Sequence, residues 1–254
     1  SIACWNYYCL TRDGQWLRTK AFPLMKAVAD FWVSRVTRND DGSYSICNVV
    51  GADEYANGVD DNAFTNGAAI RALEYACEAA RICNEPVPEI WEEVGKGIRI
   101  LRFKDGVTRE HATYNGEMIK QADVNLLGYP LYFVGDAELQ KKDMEYYVDK
   151  IDPQNGPAMS YSVFCVQYAR MGDAKRAYEM FCRCYQPNLR APFGVLAETP
   201  TSDGSRRITA SCYKWLLWIA DNGWRCGAII FYTSCTLEKG YGERSRTGEK
   251  DVCT

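Results

Sequence analysis

Residues 51–66 read GADEYANGVDDNAFTN and hold Asp53, Glu54, Asp60 and Asp61 among Asn57, Asn62, Asn66, Tyr55 and Phe64. Carboxylates and amides hydrogen-bond hydroxyl groups, while aromatic faces pack on the apolar sides of sugar rings. The mixture fits a carbohydrate-binding lip better than a plain solvated loop. A calcium loop of the EF-hand kind needs acids at alternate positions and a Glu at the twelfth. Neither Asp53 nor Asp60 begins that pattern.

A second acid stands in PFGVLAETPTSD, residues 192–203, where Glu198 precedes Thr199-Pro200. Proline forbids helix and favours an extended residue before it, so Glu198 is expected on a rigid loop. Two carboxyls on separate loops of one face could cleave a glycosidic bond. One, protonated, releases the leaving oxygen; the other, ionised, activates water.

Helices must position these loops. In residues 19–37, Phe22, Met25, Ala29, Trp32 and Val36 recur at the helical period, as do Ile70, Leu73, Cys77, Ala80 and Cys83 in residues 64–83. A third helix is predicted over 89–101, entered after Pro86 and Pro88, and a fourth over 137–151 with Asp136 as its N-cap. SYSVFCVQYAR and DAKRAYEMFCRCY, joined by Met171-Gly172-Asp173, read as an antiparallel helical hairpin with Gly172 in the left-handed region and Asp173 capping the second helix. Long polar loops alternate with short links. An array of helix pairs is expected, with its active surface on the long-loop side.

Composition narrows the partners. The 254 residues carry a formal charge of -3 and 47% apolar content, enough for a sizeable core and without a basic face for nucleic acid. No apolar run approaches the roughly 20 residues of a membrane span. The first residues, SIACWNYYCL, lack the basic and apolar regions of a signal peptide. The chain opens without a Met on an aromatic cluster, as expected of an N-terminal truncation. No CxxC pair occurs among the 12 cysteines, and Cys77, Cys83 and Cys165 read as small core residues. His111, the single histidine, is expected on an exposed loop. No motif implies a metal, nucleotide or organic cofactor.

The 51–66 segment resembles the G-x-D-E-Y-x-x-x-V-D-N-N-A-Y-T-N signature of glycoside hydrolase family 65. Lys120-Gln121-Ala122-Asp123-Val124 resembles that family's K-Q-A-D-V segment, and Met159-Ser160-Tyr161-Ser162 also fits. The likeness runs over about residues 5–203. It implies an all-α fold, part of an (α/α)6 barrel whose earlier half would precede this chain, and an inverting attack on α-linked glucosides. By motif position Glu54 is the expected general acid. Lys120 and Gln121, with Asp53, Tyr55 and Asn62, are the expected sugar-holding residues. Glu198 sits where the family's hydrolases present a carboxylate and its phosphorylases a Ser/Thr-rich phosphate site, which favours water as the nucleophile. Thr199, Thr201 and Ser202 keep a disaccharide phosphorylase as the alternative, and an inactive carbohydrate-binding fragment is a third reading. The general acid is expected to be more buried than the base, or close to Asp53 or Asp60.

From Gly204 the resemblance stops. Residues 204–254 concentrate Cys and Trp and form a separate, anomalous tail. Shifted by one nucleotide with permitted codons, residues 210–226 give a sequence resembling the family's ordinary continuation, so a frameshift is expected, with a genuine divergent terminal segment as the alternative.

Overall fold

The computed structural model describes residues 1–133, 135–192 and 194–201. The tail at 204–254 and Ser202 lie outside the described residues. Helix α1 spans Ile2–Thr11 and α2 spans Phe22–Arg35, reached through a helical turn at Gly14–Trp16 and a π-helical turn at Leu17–Ala21. Then come α3 (Ala63–Cys83), α4 (Glu89–Gly97), α5 (Ala137–Tyr147), α6 (Ala158–Arg170) and α7 (Ala174–Tyr185). Two short antiparallel ribbons accompany them. Strand β1 (Thr37–Arg38) pairs with β2 (Tyr44–Ser45), and β3 (Leu189–Arg190) with β4 (Val195–Leu196).

Helix α3 is central because both of its ends are capped and its faces are small. Asn62 Oδ1 accepts from Thr65 N at 2.9 Å, and Asn84, with φ 57°, turns its N–H back onto Ala80 and Arg81. Alanines at 69, 72, 76, 79 and 80 are all buried, so neighbours approach closely. On one side α3 packs with α2, α4 and the π-helical turn around Leu17, Met25, Leu73 and Trp91. At its N-terminal end it meets a second cluster, from α5, α6 and α7, around Leu127, Met144, Tyr147 and Phe164. Ile100 and Phe133 touch both clusters and join them. Helices α6 and α7 form the expected hairpin, with Gly172 at φ 79° and the Asp173 carboxylate accepting from Arg176 N at 3.0 Å. Cys77, Cys83 and Cys165 are buried in these clusters.

Two predicted helices end early. The third stops at Gly97 because Ile98 turns extended and bridges Tyr44, with Arg99 N donating to Tyr44 O at 3.2 Å. The fourth stops at Tyr147 because Ile151 bridges Ile119 in parallel. Ile119 N donates to Lys150 O at 2.9 Å and Asp152 N to Ile119 O at 2.8 Å. Backbone pairing with distant segments thus replaced the last helical turn in both places, and the second bridge sets Lys120 beside Asp152. His111 is half-buried instead of exposed, and that burial lowers its pKa. No helix among the described residues is long and apolar enough to cross a membrane.

Candidate functional site

The 51–66 segment folds into a closed loop. Val49 and Val59 exchange backbone hydrogen bonds at 2.9 and 3.0 Å, and Asp61 N donates to Ile46 O at 2.9 Å. Beneath the loop sits Asp123, fully buried. Its Oδ2 accepts from Ala52 N at 2.8 Å, Asp53 N at 3.3 Å and Asn62 Nδ2 at 3.0 Å, and its Oδ1 accepts from Phe64 N at 3.3 Å. Gly51 permits this approach: a Cβ there would lie 2.3 Å from Asn62 Nδ2 and 2.5 Å from Asp123 Oδ2. Burial pushes the Asp123 carboxyl up to about 6, against the pull of those donors.

The four acids of the segment divide by task. Asp61 is buried against Arg99, 2.6 Å away, and Ser45. Asp60 accepts from Asn48 N at 2.8 Å. Asp53 is 2% exposed and accepts from Lys120 N at 2.7 Å and Tyr55 N at 3.2 Å; burial raises its pKa. Only Glu54 turns a carboxylate outward without a backbone partner, and its side chain is 58% exposed and paired with Lys120 Nζ. Burial does not set the two expected carboxyls apart: Glu54 and Glu198 are both exposed. Asp53 has taken the inward position because it caps N–H groups from two segments.

Two expected sugar contacts are enclosed. Asn62 is fully buried, spent on the cap of α3 and on Asp123, so it shapes the loop and touches no solvent. Asp53 is enclosed in the same way. Gln121 Nε2 donates to Ala52 O, which ties the Lys120-Gln121 segment to the acid loop. Lys120 and Tyr55 remain at the surface of the group.

Tyr55 leads to the second acid. Its hydroxyl donates to Asp152 Oδ2 at 2.7 Å. That bond, with the amides of Asn155 and Gln154, holds the Asp152 carboxyl well below the usual carboxylate range. The loop capped by Asp152 receives the other side. Thr201 Oγ1 donates to Gln154 O at 3.0 Å, and Ala158 N donates to Glu198 O at 3.3 Å. Asn188 Nδ2 donates to Ala197 O at 3.0 Å and Glu198 O at 2.9 Å, and Arg190 donates to Thr199 O at 3.2 Å and Pro200 O at 2.5 Å. The residue after Glu54 and the segment around Glu198 thus both grip residues 152–158.

The segments 51–66, 120–124 and 159–162, far apart in the chain, meet here. Ser160 Oγ accepts from Ala122 N at 2.9 Å while Asp123 and Gln121 hold the acid loop. Residues 1–101 match the Glycosyl hydrolase family 65 central catalytic domain, and a kojibiose hydrolase of Mucilaginibacter mallensis is 49% identical over 199 residues, 78% of this chain. The chain belongs to glycosyl hydrolase family 65.

A kojibiose hydrolase of Flavobacterium johnsoniae is 46% identical over 78% of the chain, and this family 65 chain spans 29% of the length of each of those two relatives. A protein-glucosylgalactosylhydroxylysine glucosidase of Danio rerio is 36% identical over 94% of the chain and 35% of its own length, an alignment that necessarily enters residues 204–254. A solved structure from the human microbiome, provisionally described as a kojibiose phosphorylase, superposes with a TM-score of 0.58 at 17% identity over 70% of this chain and 29% of its own. That likeness concerns the fold, and it agrees with the expected portion of an (α/α)6 barrel.

Sequence reasoning passed over Asp123, Asn188 and Glu110. Asp123 was visible only as one letter of the Lys120–Val124 motif, and Asn188 carried no signal. Glu110 is fully buried and pushed up to about 9, by burial first and then by the charges of Asp123 and Asp53.

Proposed function

We propose that this family 65 chain carries the acid and base of an inverting hydrolase of α-linked glucosides, with a kojibiose-, maltose- or trehalose-like disaccharide as substrate. The observation that supports this best is the shared anchorage of Glu54 and Glu198, two exposed carboxylates on loops that both hold residues 152–158. Glu54 in its acid form protonates the glycosidic oxygen. Glu198, ionised, takes a proton from the water that attacks the anomeric carbon from the opposite face. The two carboxyls then need a gap of about 6.5–9.5 Å.

Lys120 has a part in both states. Without sugar its ammonium pairs with Glu54. A sugar hydroxyl that draws the ammonium away breaks this pair and leaves the Glu54 carboxyl free to turn toward the glycosidic oxygen. Tyr55 offers a half-exposed ring beside this position for packing on a sugar face. Water is preferred to phosphate because Thr201, one of the hydroxyls that could bind phosphate, is engaged with Gln154. Residues 1–203 are the portion to which this reading applies, and residues 204–254 stand apart as a segment whose reading frame the genomic sequence tests.

The test is an assay of the complete enzyme on a panel of α-linked glucose disaccharides, with and without phosphate. Glu54→Gln is expected to lose about 10²–10⁴ in turnover; a rate close to wild type would remove the acid assignment. Glu198→Gln is expected to lose hydrolysis. Retained, phosphate-dependent release of a glucose phosphate in that variant would establish the phosphorylase alternative, and sugar binding without cleavage in wild type would indicate the inactive fragment.

A further inference from the structure

Glu110 is buried completely, and among the described residues neither of its carboxyl oxygens meets an N–H or hydroxyl donor. Its backbone is well used: the carbonyl accepts from Ala63 N at 2.7 Å, the first residue of α3. The side chain instead lies beside the carboxyl of Asp53, close enough for each to act on the other. Two carboxyl groups can share a hydrogen bond only if one keeps a proton, since both are acceptors when ionised. Asp53 already accepts N–H bonds from Lys120 and Tyr55, which favour its charged form. Glu110 has no such donors, so the proton belongs on Glu110.

We propose that Glu110 is a positioning residue: a neutral carboxylic acid that donates to the Asp53 carboxylate and thereby fixes the loop that presents Glu54. The role in turnover rests on the assignment of Glu54 as the acid; the protonation state does not. Asp53 is the residue next to Glu54 and joins the acid loop to the Lys120 backbone, so its direction sets where Glu54 starts. Three acids that act on Glu110 favour a retained proton. Asp53 and Asp123 come from the acid loop and its anchor, and Glu117 from its own loop. The buried phenols of Tyr114 and Tyr147 also lie within its reach, both raised by burial, with Tyr147 on α5. Half-buried His111 adjoins it in the chain.

Glutamine is the natural probe, because its amide donates to Asp53 as the neutral acid would. Infrared difference spectra of the full chain at neutral pH, wild type minus Glu110→Gln, are expected to show a carboxylic-acid carbonyl band. Loss of carboxylate bands alone would overturn the proposal. Wild-type folding should weaken as pH rises from the unfolded carboxyl's ordinary 4.5 toward about 9, because the folded chain holds a proton that the unfolded chain releases. The melting temperature of Glu110→Gln should therefore gain on wild type between about pH 5 and pH 8, and parallel curves would again overturn it. In the disaccharide assay Glu110→Gln is expected to keep kcat, while Glu110→Ala loses about tenfold to a hundredfold with KM little changed. Equal loss in both variants would remove the positioning role. Should Glu54→Gln itself keep turnover, the hydrolase reading falls alone, and the spectra and melting curves still decide where the proton sits.

Discussion

Two loops each present a glutamate, and they are held by opposite chemistry. The loop around Glu54 is pinned by acceptors: Asp123 and Asp53 collect backbone N–H groups from Ala52, Asp53, Tyr55, Phe64 and Lys120. The loop around Glu198 is pinned by donors, with Asn188 and Arg190 reaching the carbonyls of Ala197 through Pro200. An amide and a guanidinium do not titrate in the working range, whereas buried carboxyls do. The acid-bearing loop is therefore the pH-sensitive one. For Glu54, the residue proposed as the proton donor, that places titratable groups directly under its support.

The contrast can be broken most forcefully at Asp123. Asp123→Ala leaves several buried N–H groups and the Asn62 amide without an acceptor and is expected to cost about 3 kcal/mol or more of folding stability, read by denaturant titration. A loss below about 1 kcal/mol would mean that the carboxylate is not the anchor. Asn188→Ala should cost less, about 1–2 kcal/mol, because it removes one neutral amide from two carbonyls, whereas Asp123 serves four donors with a carboxylate. Its signature is a cost that does not change with pH. If the cost does vary between acid and neutral pH, the two loops are not separate in the way described.

The smallest effect is at the platform the loops share. The Asp152 carboxyl is held below its ordinary 3.8 by the Tyr55 hydroxyl and the Asn155 and Gln154 amides. A depressed folded pKa contributes stability above the unfolded value and loses it as pH falls through the folded one. Wild type and Asp152→Asn should therefore differ near neutral pH, and the difference should begin to shrink only below about pH 4 and narrow steadily toward the acid end in melting experiments. Curves that stay parallel to the acid end would exclude Asp152 as a charged link between the loops.

Much of the helical frame was written locally. Asp136 and Asp173 cap the helices where a side chain two or three residues away in sequence can accept an N–H, and the small residues of α3 repeat at the helical period. The two helices that ended early were misjudged for the converse reason. Ile98 and Ile151 fit a helix by type, but each found a backbone partner, at Tyr44 and Ile119, that no local pattern announces. The candidate site divided in the same manner. Glu54 and Lys120 were legible through their motifs, while the division of the acids between burial and exposure was not.

By itself the sequence determined where helices begin, which residues are apolar enough to be buried, and which short segments mark family 65, because capping, periodicity and motif spelling are properties of neighbouring residues. Only the tertiary structure decided that Asp53 and Asn62 are spent within the protein while Glu54 remains outward, and that among the described residues Glu110 faces another acid and no donor. The environment of a carboxyl is made by segments distant in sequence, and a group's protonation follows from its burial and its donors. Those distances come into being only when the chain is folded.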